Sequence, residues 1–464
     1  MTGILILGGF FVFAGLMIAK KLPTILALPL LAAWIALAAQ MPLTVYLNNI
    51  LVGGAMKLGT AMSVVIFGAM FARVIVQTGI STTIIKKAAE LAGDKPRSIA
   101  LLLSLATIFV FLGMSGLGAV IMVGSIVLPI MMSAGITPAV ASTIFLLSIQ
   151  TGLLANAANY GTYIGIFGGE VTTNFYLPAF IISFAFTLLC IFINVRQQVA
   201  DEGTSLFAIL GILVRGVIRL PVSICTALYT QGKKALQPRA TSLVQRKHTI
   251  SAAALLAPLL PLVTVYLCKI AFDFGAAAQG HIDPVAAAVM GFFVASFYAI
   301  GLTKPSQMVN VFAGSLVEGI KDVAGVIFLF MGIGMLLAVV MNPAVAQVLN
   351  PLLVQIIPTN HWALLAFFAV LAPTALYRGP LNMFGMGAGI AVLLHSLGIM
   401  PPAVIVGTFL AVGYIQGASD PTNSHNSWIG GFTKVDTTEL LYRTLPYSWS
   451  MCLVMLLYVA LSQW

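Results

Sequence analysis

Asp420-Pro-Thr-Asn-Ser-His-Asn426 is a polar knot inside an otherwise apolar stretch, and Asn156-Ala-Ala-Asn-Tyr-Gly-Thr162 is a weaker copy of it. Asn159 and Asn423 stand 264 residues apart. The same offset relates Pro138-Ala-Val140 to Pro402-Ala-Val404, upstream of each knot. Lipid cannot satisfy such groups, so both knots are expected where lipid does not reach, in a cavity that binds something polar.

The rest of the chain sets that context. Hydrophobic residues make up 60% of the 464 residues, charged residues 7%, and the mean hydropathy is +1.07. Soluble domains carry about 25% charge. The reading is an all-α polytopic membrane protein, since strand-type alternation is absent. The four cysteines (Cys190, Cys225, Cys268, Cys452) lie scattered in apolar runs without metal-ligand spacing. The first apolar run ends at Lys20-Lys21 and suits a retained span better than a cleaved signal.

Apolar runs fall near 3–19, 24–41, 59–78, 98–133, 138–169 and 176–194, then near 250–272, 283–303, 320–341, 362–397, 402–432 and 446–463. This divides the chain into a first repeat, 1–194, a basic linker, 195–249, and a second repeat, 250–464. Within the linker, 206–230 reads as an interfacial amphipathic helix. The fourth run of each repeat is too long for one span. It breaks at Gly113-Met-Ser-Gly-Leu-Gly118 in one half and at Tyr377-Arg-Gly-Pro-Leu-Asn382 in the other. Each is expected to be a re-entrant hairpin, and each knot a break in the following transmembrane helix.

Placing Lys20-Lys21 in the cytoplasm, and so the N-terminus outside, puts eighteen of the 22 basic residues on or near the inner side. The two repeats then have inverted topology. Membrane topology, not nucleic-acid binding, accounts for the net charge of +10. Arg73 is read as snorkelling near an inner end, and Asp322 as lying at an inner membrane entry. Arg378 and Asp420 remain as the deep charges, each costing at least about 2.5 kcal/mol at a helix centre.

Two readings of this pair stand side by side. In one, Arg378 and Asp420 form a structural ion pair. In the other, Arg378 binds a carboxylate through its planar fork, and Asp420, with His425, handles a coupling cation. Ser115, Gly116, Asn156, Asn159, Thr162, Asn382, Thr422, Asn423 and Ser424 supply polar groups or close backbone approach for a small organic anion. Na⁺ in place of H⁺ would sit near Asn159, Asp420 and Asn423. Capping of the broken helix ends is the structural alternative for each amide. No cofactor is expected: Walker, dinucleotide and HExxH patterns are absent.

Ser115-Gly-Leu-Gly-Ala-Val120 through Ser133-Ala-Gly-Ile136 and Pro138 form one motif. The second copy runs from Gly387 through Ser396-Leu-Gly-Ile399 and Pro402. On these residues the chain resembles the ion-transporter superfamily of bacterial carboxylate permeases, which includes gluconate, C4-dicarboxylate and citrate carriers. The Ser-Asn-Thr signature of the sodium-coupled branch has only a loose echo in Thr422-Asn423-Ser424. The resemblance implies an elevator-type mechanism and a homodimer. The resulting expectation is an inner-membrane secondary transporter of a small organic anion, coupled to H⁺, with Na⁺ as the alternative. A cation/proton antiporter centred on Asp420 is the rival in the same class. An intramembrane hydrolase using Ser424 and His425 is the rival from another.

Overall fold

The computed structural model describes residues 2–463 apart from 20, 161–162, 164–168, 199–249, 275–283, 357, 359, 380, 384–386, 388–389, 392–393 and 396–399. The linker helix expected at 206–230 and Thr162 lie outside the described residues, as does the side chain of Arg378.

The described residues are helical and contain no strand. The first half runs α1 (Thr2–Ile18), α2 (Thr24–Ala38), α3 (Leu43–Gln77), α4 (Ile80–Ala92), α5 (Pro96–Phe111), α6 (Leu117–Ser133), α7 (Pro138–Leu154) and α8 (Gly169–Gln198). A 3-10 turn, Ala253–Leu259, opens the second half. Then come α9 (Leu260–Phe274), α10 (Pro284–Thr303), α11 (Met308–Val340), α12 (Pro343–Ile356), α13 (His361–Leu371), α14 (Pro402–Ser419), α15 (Ser424–Thr433) and α16 (Thr437–Gln463). Six helical stretches among the described residues are long and apolar enough to cross a membrane. Leu5, Phe11, Leu30 and Leu37 stay exposed on α1 and α2, as lipid-facing side chains do. Helix α8 reaches Gln198, inside the segment read as linker.

The first hairpin is present, and the second is described through its first arm and turn. Helices α5 and α6 have 16 and 17 residues, fewer than the roughly 20 that cross the hydrocarbon core. The turn between them passes through Gly116 at φ +87°, a conformation that needs glycine. Its counterpart follows α13, where a 3-10 turn, Ala372–Arg378, bends at Tyr377 (φ 54°). Prolines at the first turn start α5, α7 and α14, where no helical N–H is lost. Helices α7 and α14 are buried all round, which makes them the centre of the bundle.

The 264-residue offset holds element by element: α4, α7 and the end of α8 map onto α12, α14 and the end of α16. Inversion is visible in how α3 meets its own equivalent, α11. Gly54 lies against the backbone of Gly334 and Met335, whereas Gly319 lies against Ala69 and Met70. Rising along α3 therefore means descending along α11. A Cβ on Gly54 would sit 2.7 Å from Met335 Cα, and one on Gly319 would sit 2.6 Å from Met70 N, so glycine permits the crossing. Shifting 54 forward and 334 back by the offset gives 318 and 70, within one residue of the second contact. The chain is thus two inverted repeats about a pseudo-two-fold axis.

The helices sort into two units. Helices α2, α3, α9, α10 and α11 pack on one another, and α5–α8 pack with α14 and α16. Helix α11 begins at Met308, not near 320, so Asp322 lies fourteen residues, roughly 21 Å, inside a helix. Arg73 does not snorkel away. Its Nε and Nη2 donate to the two Asp322 oxygens at 2.5 Å each, tying one repeat to the other.

Candidate functional site

Both knots fold as the same joint. After α7, the Asn156 Oδ1 accepts from the Ala158 N–H at 2.8 Å. After α14, the Asp420 Oδ1 accepts from the Thr422 N–H at 2.9 Å. Asn159 Nδ2 donates to the Leu153 carbonyl at 2.8 Å, and Asn423 Nδ2 donates to the Gly417 carbonyl at 3.3 Å. Each of these bonds is the other's repeat equivalent. The amides therefore do cap the broken helix ends. Asn423 also accepts from the His425 N–H, as an N-cap of α15 should.

Each joint also ties its broken span to the adjacent hairpin tip, with reversed polarity. Asn156 Nδ2 donates to the carbonyls of Phe111 and Met114, at 2.9 and 3.1 Å, next to Ser115 and Gly116. Asp420 instead accepts. Tyr377 N–H reaches its Oδ1 at 3.1 Å, the Thr422 hydroxyl donates to the same oxygen at 2.7 Å, and Asn382 Nδ2 lies 3.5 Å from Oδ2. Asn382 also donates to the Ala375 carbonyl, and Met383 N–H to the Gln416 side chain at 2.7 Å. Asp420 and Asn382 are both buried, as is Asn156. Both knots therefore share one local job, holding a broken helix end against a hairpin turn. The Tyr377 N–H and Gln416 contributions had no sequence signal, being backbone and helix-interior groups.

The symmetry breaks in the surroundings of the joints. Ala158 of the first knot packs on Gly68 of α3, where a Cβ would stand 2.8 Å from the Ala158 Cβ and 3.2 Å from Phe292. Gly113, in the first hairpin turn, is wedged against Pro258 and Phe71. In the second half, Gly332 is the equivalent of Gly68 and meets Leu28 and Pro29 of α2 instead. Thr422, the equivalent of Ala158, lines a cavity of about 730 Å³ together with Tyr377, Pro421, Ser427 and Thr438. The cavity is bounded by the α1–α2 turn and the first turn of α16; the exposed Lys21 and Lys434 lie next to these segments in sequence. The first knot packs on α3 at Ala158, whereas its equivalent in the second knot lines a cavity.

Ser424 and His425 are neighbours on the first turn of α15, about 100° apart around the helix. No hydrogen bond joins their side chains among the described contacts. Two buried amide oxygens at the second knot, Asn382 Oδ1 and Asn426 Oδ1, accept no hydrogen bond among the described residues. No cluster of three or more His, Cys, Asp or Glu side chains occurs among them either.

Inverted repeats that each tie a hairpin turn to a broken helix, with a cavity beside the second joint, make a transporter-like fold in a multi-pass membrane protein. The comparison with solved structures agrees. The crystal structure of the Alcanivorax borkumensis YdaH transporter, described as having an unusual topology, is similar over 90% of this chain and 88% of its own. The TM-score is 0.59 and the sequence identity 14%, so the likeness is one of fold. No family model and no curated protein matches the sequence.

Proposed function

We propose that this protein is a secondary active transporter of a small organic anion, coupled to H⁺, with Na⁺ as the alternative. It would sit in a bacterial inner membrane with its N-terminus outside, as a homodimer. The observation that carries this reading is the broken symmetry of the two joints. One polar centre is buried against α3 and α10, while its equivalent faces a cavity of about 730 Å³. A transporter needs a polar centre reachable from one side at a time. In the elevator reading, α5–α8 and α13–α16 move against the remaining helices and exchange the two environments.

Arg378 directly follows Tyr377 in sequence, and the Tyr377 N–H rests on Asp420. A guanidinium there suits a carboxylate. The unpaired Asn382 and Asn426 oxygens favour a cation or a proton donor beside Asp420. The test is a thermal-unfolding panel of organic acids on the purified protein, with and without Na⁺. A bound acid at a hundred times its Kd adds about 2.7 kcal/mol of stability. Arg378→Ala should lose that stabilisation and the matching uptake in proteoliposomes while unfolding at the wild-type temperature without ligand. Unimpaired uptake by Arg378→Ala sinks the assignment. Na⁺-driven proton flux with no organic acid present points to an antiporter instead.

A further inference from the structure

The two hairpin tips differ in where their charge comes from. The second tip has Asp420 on its own broken span. The first tip has none: its knot carries Asn156, and Gly118 stands where the second hairpin has Asn382. Charge reaches the first tip from the other unit. A Cβ on Gly118 would lie 3.4 Å from Arg73 Nη2 and 3.7 Å from Asp322 Oδ2, so the ion pair borders the first turn of α6. The pair is fork to fork, with both guanidinium donors on both carboxylate oxygens. Its side chains keep 29% and 24% exposure.

A purely structural clamp between α3 and α11 is already supplied by the glycine crossings at Gly54 and Gly319. The neighbouring acid on α11, Glu318, is occupied by Lys321 at 2.7 Å. Asp322 is thus the acid given over to Arg73. Its carboxylate sits beside the N-terminus of α6, where backbone N–H groups also favour an anion. An internal carboxylate held by a guanidinium and a helix start is chemically the complex that an external carboxylate would form there.

We propose that Arg73 is a second anion-docking residue, and that Asp322 is its built-in counter-anion, displaced by a substrate carboxylate at the first hairpin tip. This rests on the organic-anion reading above. It gives the first hairpin tip an anion contact on the static unit, while Arg378 belongs to the unit with the hairpins. A moving anion would pass from one guanidinium to the other, and Asp322 would keep Arg73 from holding it too tightly.

The test uses full-length protein in detergent and in proteoliposomes, with succinate and gluconate as probes and thermal shift as the affinity readout. If the internal pair is closed about nine-tenths of the time, removing the competitor raises apparent affinity about tenfold. Asp322→Asn should therefore bind the probe that stabilises the wild type about tenfold more tightly and release it more slowly in flux assays. Arg73→Gln should bind it more weakly. The exchanged pair, Arg73→Asp with Asp322→Arg, keeps an ion pair at the crossing and should fold, yet should not recover wild-type affinity or flux. Full recovery by the exchanged pair makes the contact a clamp and overturns the proposal. Unchanged affinity in Asp322→Asn overturns it too, leaving the anion-transport reading intact. If neither probe stabilises the wild type or Asp322→Asn, both this proposal and that reading fail.

Discussion

Asp420→Ala is expected to lower stability by about 2–5 kcal/mol, whereas Asp420→Asn should cost about 1 kcal/mol or less. The reason is the joint. Alanine leaves the Tyr377 and Thr422 N–H groups without their acceptor, and buried orphan donors cost about 1–3 kcal/mol each. Asparagine keeps Oδ1, which takes both bonds. The first repeat shows that an asparagine Oδ1 can hold the turn bond, since Asn156 accepts from the Ala158 N–H; only the weak 3.5 Å bond from Asn382 to Oδ2 is lost. Coupling separates from folding in the same pair of variants. In the proposed mechanism the negative charge at 420 attracts the coupling cation, so Asp420→Asn should fold but lose the response of uptake to an imposed pH or Na⁺ gradient. Melting temperature and gradient-dependent uptake in proteoliposomes check the two halves of the argument. Alanine as stable as wild type sinks the joint. Gradient-driven uptake by Asp420→Asn moves coupling away from this carboxylate.

Much of the fold was legible because it depends on features that local sequence carries. Proline starts, glycine breaks and the 264-residue offset gave the hairpins, the broken spans and the repeat. The offset proved accurate to the residue at Asn159 and Asn423, because both make the same capping bond. The site was less legible. Asp322 looked interfacial because Glu318, Lys321 and Asp322 together depress the local hydropathy. Mean hydropathy ignores helix face: Gly319 and Asp322 are i and i+3 on the side facing α3, while Lys321 is exposed. A reading by helical period over 308–340 would have placed the acid on the packed face. The opposite polarities of the two joints were out of reach. The partners of Asn156 are carbonyls and those of Asp420 include a backbone N–H, and which of these a turn presents depends on its conformation, not on its composition.

Gly68→Ala should shift the protein towards the opposite-facing state. An added Cβ would come within 2.8 Å of the Ala158 Cβ and 3.2 Å of Phe292, and neither the knot nor the ring can yield freely in a packed interior. Overpacking costs about 1–3 kcal/mol, charged only to the state in which the first knot sits on α3. A coupling of that size changes a two-state ratio by roughly 5- to 150-fold. Thr422 lines the open cavity in this state and so reports the population. With the native cysteines replaced by serine and Thr422→Cys added, a membrane-impermeant maleimide applied to the cavity side should label more slowly once Gly68→Ala is present. Gly332→Ala is the matched control. Its Cβ would meet Pro29 and Leu28 within the static unit, so it should reduce stability without favouring either state. If both glycine variants lower the melting temperature and neither changes labelling at 422, the contact at Gly68 is ordinary packing. The packing of the first knot on α3 would then no longer mark one end of a transport cycle.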